Sequence, residues 1–314
     1  MDPLAPRPLG RTGLHVSGIG FGALEIGRDW APDVNPGDTG RHPDAAEAER
    51  TLLGLADAGV NLVDTAPAYW HSEDFIGRAF SANPGLRDRF VLATKVGEHC
   101  HPDTGSRHDY SAEATRAFID DSLVKLRTDR IDLIQIHSAS MDTLERGECL
   151  AAMIEARDAG KVRHVGMTGH VAECVRAVEL GGYESVQVPL NLLNPAAEDT
   201  LLPLALERGV GVLLMRPLAG GKLTPKVAAL EDETLRAAVL GFVEAAGDGA
   251  TPDDLPGLAM AWLLTVPGVS SLLVGTRKPG TVTANIAAAA RTQMPPDRRA
   301  RLRAWSDGLT TRGW

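Results

Sequence analysis

Four side chains in the first half of the chain, Asp64, Tyr69, Lys95 and His137, could together move a proton to or from an oxygen. Adding hydride to a carbonyl makes an alkoxide, and some acid must quench it near neutral pH. A free phenol has a pKa of ~10 and is a sluggish donor until a nearby cation stabilises its phenolate. Lys95 can supply that charge for Tyr69, and Asp64 can hold Lys95 protonated and oriented. His137 can hydrogen-bond the substrate oxygen and so fix a carbonyl in place. Each residue also has a plain reading: Asp64–Lys95 as an ordinary buried ion pair, Tyr69 and His137 as satisfied core groups, Asp64 alone as a turn or helix cap.

Their placement in the chain argues for chemistry. Asp64 ends the apolar run of GVNLVDTAPAY, which also delivers Tyr69; Lys95 ends VLATK; His137 ends IDLIQIH. Short apolar, partly β-branched runs read as strands buried on both faces. Polar groups at the carboxyl ends of several such strands are how a parallel barrel collects its active site.

Strand and helix signals alternate through the rest of the chain. A hairpin, Arg7–Leu9 and Leu14–Ser17 around the turn GRTG, is expected to cap the bottom of a barrel. Strands are predicted at Ile19–Gly22, Leu62–Asp64, Val91–Lys95, Ile131–His137, His164–Thr168, Ser185–Pro189, Val210–Met215 and Ser270–Val274. Helices are predicted at Ala45–Ala58, Ser72–Phe80, Ala112–Leu126, Leu144–Ala159, Val171–Leu180, Thr200–Arg208, within Thr234–Thr265, and at Gly280–Ala289. This rhythm predicts an α/β chain whose 314 residues form one domain, a single (β/α)8 TIM barrel with an N-terminal β-hairpin and an extra C-terminal helix in Pro296–Trp314, its arginines solvated. A doubly wound sheet would want a dinucleotide fingerprint at its first strand-to-helix turn, and GIGFG at Gly18–Gly22 lacks the spacing. The polar loop from Glu25 to Pro43 is too long for a mere connection and reads as functional.

With 44% hydrophobic side chains the chain can bury a large core. A formal net charge of -9 disfavours nucleic acid and anionic membranes, which need a basic face, and leaves a small molecule as the expected partner. Cys100, Cys149 and Cys174 are odd in number and without pattern, which suits a reducing compartment. MDPLAPRPLG lacks a basic segment followed by an apolar run, and no stretch approaches the ~18 apolar residues of a span, so a cytoplasmic protein is expected. Glu98–His108, EHCHPDTGSRH, gathers three histidines and Cys100 in spacings that match no zinc pattern. It reads as a hydrated substrate loop, and no metal is assigned.

Over nearly its whole length the chain resembles the aldo-keto reductase superfamily. The likeness is carried by LGRTGLHVSGIGFGA, GVNLVDTAPAYWHSEDFIGRAF, VLATKVG, LRTDRIDLIQIH, AGKVRHVGMTGH, VQVPLN, GVGVLLMRPLAGGKL and VSSLLVGTRKPGTVTAN. The resemblance implies a barrel that binds a nicotinamide cofactor without a Rossmann fold, with a catalytic tetrad on Asp64, Tyr69, Lys95 and His137. It implies cofactor contacts from Gly22, Ala23 and Asp64, from Thr168 and Gln187 at the carboxamide, and from Met215, where relatives stack an aromatic. Arg216, Pro217 and Leu218 fall near the pyrophosphate, and Gly275, Thr276, Arg277, Lys278, Thr281 and Asn285 toward the adenosine end. One departure is plain: relatives carry a Ser-Asn pair where this chain has Thr168 and Gly169.

Arg277 and Lys278 could pair with a 2′-phosphate, favouring NADP(H) over NAD(H), or stand as a solvated basic pair at a helix start. Leu24, Trp30 and Trp70 join Tyr69 and His137 as implied substrate contacts, with Trp70 alternatively bracing the barrel top. The implied activity interconverts a ketone, aldehyde or sugar lactone/lactol and an alcohol. The rivals are an NAD-preferring sugar dehydrogenase and a nicotinamide-binding regulatory subunit on the same barrel. Neither the reaction's direction nor an oligomeric state is encoded.

Overall fold

Apolar runs of this length stay dry on both faces only if a closed sheet encloses one side and helices cover the other. In the computed structural model, which describes residues 2–28, 44–101, 105–276 and 278–309, eight such runs meet that requirement. They are β1 (Ile19–Gly22), β2 (Leu62–Asp64), β3 (Val91–Val96), β4 (Ile131–His137), β5 (Val162–Thr168), β6 (Ser185–Pro189), β7 (Gly211–Met215) and β8 (Val269–Val274). Each strand pairs in parallel with the next in sequence, and β8 returns to β1, so the barrel closes. The longer helices are α1 (Ala45–Ala58), α2 (Ser72–Ala82), α3 (Ala112–Leu126), α4 (Glu148–Asp158), α5 (Val171–Leu180), α6 (Leu201–Arg208), α7 (Glu233–Ala246), α8 (Leu255–Leu264), α9 (Pro279–Arg291) and α10 (Pro296–Asp307).

Strand period two sorts the side chains. Outward residues such as Ile134, Ile136, Val165 and Met167 join the helices in one core, while Leu62, Ala93, Leu133 and Leu213 fill the lower barrel together with Leu9, Leu14 and Val16. Those last three belong to or flank the hairpin of Pro6–Pro8 and His15–Ser17. Arg7 fastens it by donating to the carbonyls of Leu264 (2.8 Å) and Val269 (3.2 Å), and Asn61 Oδ1 accepts from Ser17 N at 2.6 Å. Each buried leucine contributes roughly 1.5–3 kcal/mol, so apolar burial adds to these hydrogen bonds in sealing this end.

Four segments differ from the sequence reading. The expected helix Leu144–Ala159 is two, Met141–Arg146 and α4, because Gly147 takes a left-handed φ of 69° between them. The region Thr234–Thr265 divides into α7 and α8 beyond Gly247. Glu98–His108 is not an irregular loop: Glu98–His101 and Gly105–His108 pair as an antiparallel hairpin. The arginines of α10 are not a solvated face: Arg303 binds Asp199 (2.5 Å) and Glu198 (2.8 Å), and Arg298 donates to the carbonyl of Ala246 at 2.9 Å. Trp305 packs on Phe242, ring centroids 5.3 Å apart. Of the long loop after Glu25, a helical turn at Leu24–Gly27 is described and residues 29–43 are not.

Candidate active site

Because the strands are parallel, their carboxyl ends share one rim, and the residues expected there arrive together. Gly22, Asp64, Lys95, His137, Thr168, Gln187 and Met215 lie at or near the ends of β1 to β7, and Gly275 follows β8. Two of them, and Tyr69 in the turn after β2, are followed at once by a non-glycine residue in the left-handed region: Ser138 (φ 56°) after His137, Arg216 (φ 57°) after Met215, and Trp70 (φ 50°) after Tyr69. Such backbone costs about 1–3 kcal/mol per residue, which the surroundings must offset. Here Ser138 N donates to the carbonyl of Thr168 at 2.9 Å, and Asn191 Nδ2 to that of Arg216 at 3.1 Å. Gly27 lets the turn Leu24–Gly27 lie against Tyr69: a Cβ there would stand 2.4 Å from the Tyr69 carbonyl oxygen.

At the centre, Lys95 Nζ donates to Asp64 Oδ2 at 2.7 Å and to the Thr65 carbonyl at 2.8 Å. Asp64 also accepts from Gln135 Nε2 at 3.0 Å and Gln187 Nε2 at 3.3 Å. The buried carboxylate is thus paired and hydrogen-bonded, as a charge that is only 2% exposed requires. Lys95 Nζ stands 4.9 Å from the centre of the Tyr69 ring, which meets the His137 ring edge-on at 5.9 Å.

Burial works against the Lys95 charge, but Asp64 and then Tyr69 outweigh it, so its pKa lies above the usual range. For Tyr69 burial raises the pKa, Lys95 lowers it and Asp64 adds to the rise; the balance is upward. Lys95 therefore pulls the phenol in the expected direction without prevailing, and the free site holds Tyr69 protonated, the form that can give a proton. Burial pushes His137 below the ordinary imidazole range, against the raising influence of Glu98.

Two residues of this cluster escaped the sequence reading. Gln135 was legible, since it lies two residues before His137 in IDLIQIH and so faces inward on the same strand. Glu98 was not: it stands on the polar hairpin, its Oε2 3.0 Å from His137 Nδ1 and its Oε1 accepting from Ser106 Oγ at 2.6 Å. Burial disfavours its charge, but His137, Ser106 and His108 prevail and hold its pKa at about 2. Tyr110, just past the hairpin, donates to the His137 carbonyl at 2.7 Å.

The aldo/keto reductase family pattern matches residues 18–307. The chain belongs to that family. Its members are oxidoreductases that use nicotinamide cofactors. The chain is 30% identical to the L-galactose dehydrogenase of Arabidopsis thaliana, covering 92% of this chain and 89% of the relative. It is 29% identical to an NADH-specific methylglyoxal reductase of Escherichia coli, over 90% and 92% of the two. Among solved structures, an aldo-keto reductase of Bacillus halodurans in its holo form superposes with a TM-score of 0.82 at 26% identity, covering 96% of each chain.

The residues present fit a nicotinamide at the rim. Gln187 Oε1 is buried without a partner, an acceptor that a carboxamide N–H would satisfy. Gly275 approaches β1 so closely that a Cβ would stand 2.9 Å from the Gly22 carbonyl oxygen, and Ala23 beside it is buried. Gly169, next to Thr168, offers no side chain. Met215 and Leu218 are half-buried, Pro217 is buried, and Arg216 and Lys278 are exposed. On α9 and before it, Thr276 and Thr281 are partly buried and Asn285 is buried. Leu24 and Trp70 are half-buried, with the Arg28 guanidinium 5.5 Å above the Trp70 ring. Trp30 and Arg277 lie outside the described residues. Among the described residues no cluster of His, Cys, Asp or Glu is placed to hold a metal ion, and no helix is long and apolar enough to cross a membrane.

Proposed function

We propose that the protein interconverts a small-molecule carbonyl and its alcohol, with Tyr69 as general acid and base. One observation supports this most: Tyr69 stands between the Lys95–Asp64 pair and His137 at the barrel mouth. The nicotinamide cofactor, when bound, supplies or takes the hydride. Tyr69 gives its proton to the substrate oxygen, and Lys95 steadies the phenolate left behind. Asp64, held by Gln135 and Gln187, keeps Lys95 charged and aimed. His137 hydrogen-bonds the substrate and orients it, and Leu24 and Trp70 would be its apolar neighbours. Thr168, Gln187 and Met215 would hold the nicotinamide end, and Arg216, Lys278 and the N-terminus of α9 the phosphates.

NADP(H) is preferred over NAD(H) in this reading because Arg277 and Lys278 stand just before α9, where a 2′-phosphate would be charge-paired. A second reading, an NAD-preferring sugar dehydrogenase, is favoured by the names of the two relatives above. Titrating both cofactors into the wild type and Arg277→Ala decides between them. A loss of about ten- to a hundredfold for NADPH alone is expected, and equal losses for both overturn the assignment. The reaction is tested by following reduced cofactor against ketones, aldehydes and sugar lactols. Binding without consumption across the panel would refute it and favour a regulatory role.

A further inference from the structure

We propose a second ligand site at the amino end of the barrel, opposite the rim: a cavity that takes a small, doubly charged oxyanion of the phosphate class. It measures about 180 Å³, and its walls carry Arg87, Arg89, Arg130 and Arg163 against two carboxylates, Asp88 and Asp132. In a chain of net charge -9 a local excess of cations runs against the overall composition.

The residues meet because parallel strands share a starting end as they share a finishing one. Arg87 and Arg89 belong to the turn before β3, Arg130 directly precedes β4, Asp132 is the second residue of β4 and Arg163 the second of β5. Asp132 shows what this place holds. Its carboxylate is buried and accepts from Arg87 Nη2 at 2.8 Å, from Leu92 N at 2.9 Å and from Arg163 Nη1 at 3.2 Å. Arg87 is fixed in turn by the carbonyls of Phe90 (2.9 Å) and Arg130 (3.0 Å). Guanidinium groups and a main-chain amide thus already bind one oxyanion, the protein's own, in the cavity wall.

Further donors are to spare. A guanidinium carries several N–H groups in a planar fork. Among the described residues Arg163 meets a carboxylate only through Nη1, Arg89 only through Nη1 with Asp57 at 3.1 Å, and Arg130 through Nη1 with Asp129 at 3.3 Å and Nη2 with Asp88 at 3.0 Å. These three arginines are 41–51% exposed and Asp57, Asp88 and Asp129 more so, and ion pairs this wet contribute little and exchange readily for a ligand. Asp88 sets the ligand's charge: a monoanion gains too little to displace it from Arg130, whereas a dianion meets Arg130 and Arg163 with paired N–H groups. Size sets the rest. Pockets for drug-sized molecules start at ~300 Å³, so a nucleotide is excluded and a phosphate ion, or the phosphoryl group of a small ester, is admitted.

Calorimetric titration of inorganic phosphate into the whole protein tests this, at about pH 8, where phosphate is a dianion, with chloride exchanged to hold ionic strength constant. Expected is a saturable site whose affinity falls by about ten- to a hundredfold in Arg163→Ala and in Arg130→Ala. Lys278→Ala, at the other end of the barrel, should leave it unchanged. Circular dichroism verifies folding; Arg130→Ala removes contacts to exposed carboxylates only and carries the test by itself if Arg163→Ala unfolds. No saturable heat, an affinity that folded Arg130→Ala leaves within about threefold of wild type, or binding abolished by Lys278→Ala, which would put the ion at α9, overturns the proposal. Glycerol phosphate is the second probe. Affinity at or above that of the free ion assigns the site to a phosphorylated metabolite, and a weaker one assigns it to inorganic phosphate.

Discussion

At its amino end the barrel is filled by Leu62, Ala93, Leu133 and Leu213, closed from below by Leu9, Leu14 and Val16. At its carboxyl end the next inward residues of the same strands are Asp64, Lys95, Gln135 and Met215. Two residues along a strand span ~6.6 Å, and over that distance the lining changes from leucine to a buried ion pair. The lower end contributes stability mainly through apolar burial, with the hairpin fastened by Arg7 and Asn61. The upper end holds charges that burial penalises, kept in place by a partner for each: Lys95 for Asp64, Gln135 and Gln187 for the rest of that carboxylate. Stability and chemistry thus come from the same strands and are separated by register.

Substitutions at the two ends should therefore fail differently. Tyr69→Phe is expected to lower turnover by about a hundred- to ten-thousandfold, with cofactor affinity and melting temperature unchanged. Steady-state rates beside a fluorescence titration check this, and activity within a few-fold of wild type removes Tyr69 from its role. Lys95→Met should lose turnover and also about 3–5 kcal/mol of stability, because Asp64 is left as a buried charge without a cation. Urea unfolding measures the second effect; a variant as stable and as active as wild type breaks the account of the rim.

Leu133→Ala, two residues below Gln135, sharpens the contrast: about 2–5 kcal/mol should be lost, while kcat per folded molecule stays near wild type. A kcat that collapses while the protein remains folded would mean that the plug and the rim are not separable. The smallest effect concerns acid. The Glu98 carboxyl is held at about 2 in the fold, below its ordinary 4.5, so its stabilisation is complete above ~4.5 and is lost as pH falls toward 2. The stability gap between wild type and Glu98→Gln, on the order of 1 kcal/mol or less, should close across that window. A gap that widens on acidification contradicts the pairing.

The rim was legible to different depths. Asp64, Lys95 and His137 could be found because each ends an apolar run, and Gln135 obeys the same period-two rule. The hairpin carrying Glu98 could not be found, since its strands are partly or fully exposed and show no apolar alternation. Backbone hydrogen bonds hold it together, and those leave no signature in side-chain type. The break at Gly147 went unread for a related reason: a glycine inside a helical pattern is tolerated as often as it interrupts.

By itself the sequence determined the barrel, because eight apolar strand signals alternating with helices have few other ways to bury both faces. It also determined which polar groups would stand at the carboxyl ends, because strand periodicity is local. Which of those groups touch was decided only by closure of the barrel. Gln135 and Gln187 reach Asp64 across 71 and 123 residues of chain, and Glu98 reaches His137 from a different element. Such pairings depend on strand register and hairpin placement, which long-range packing sets and no short stretch of sequence contains.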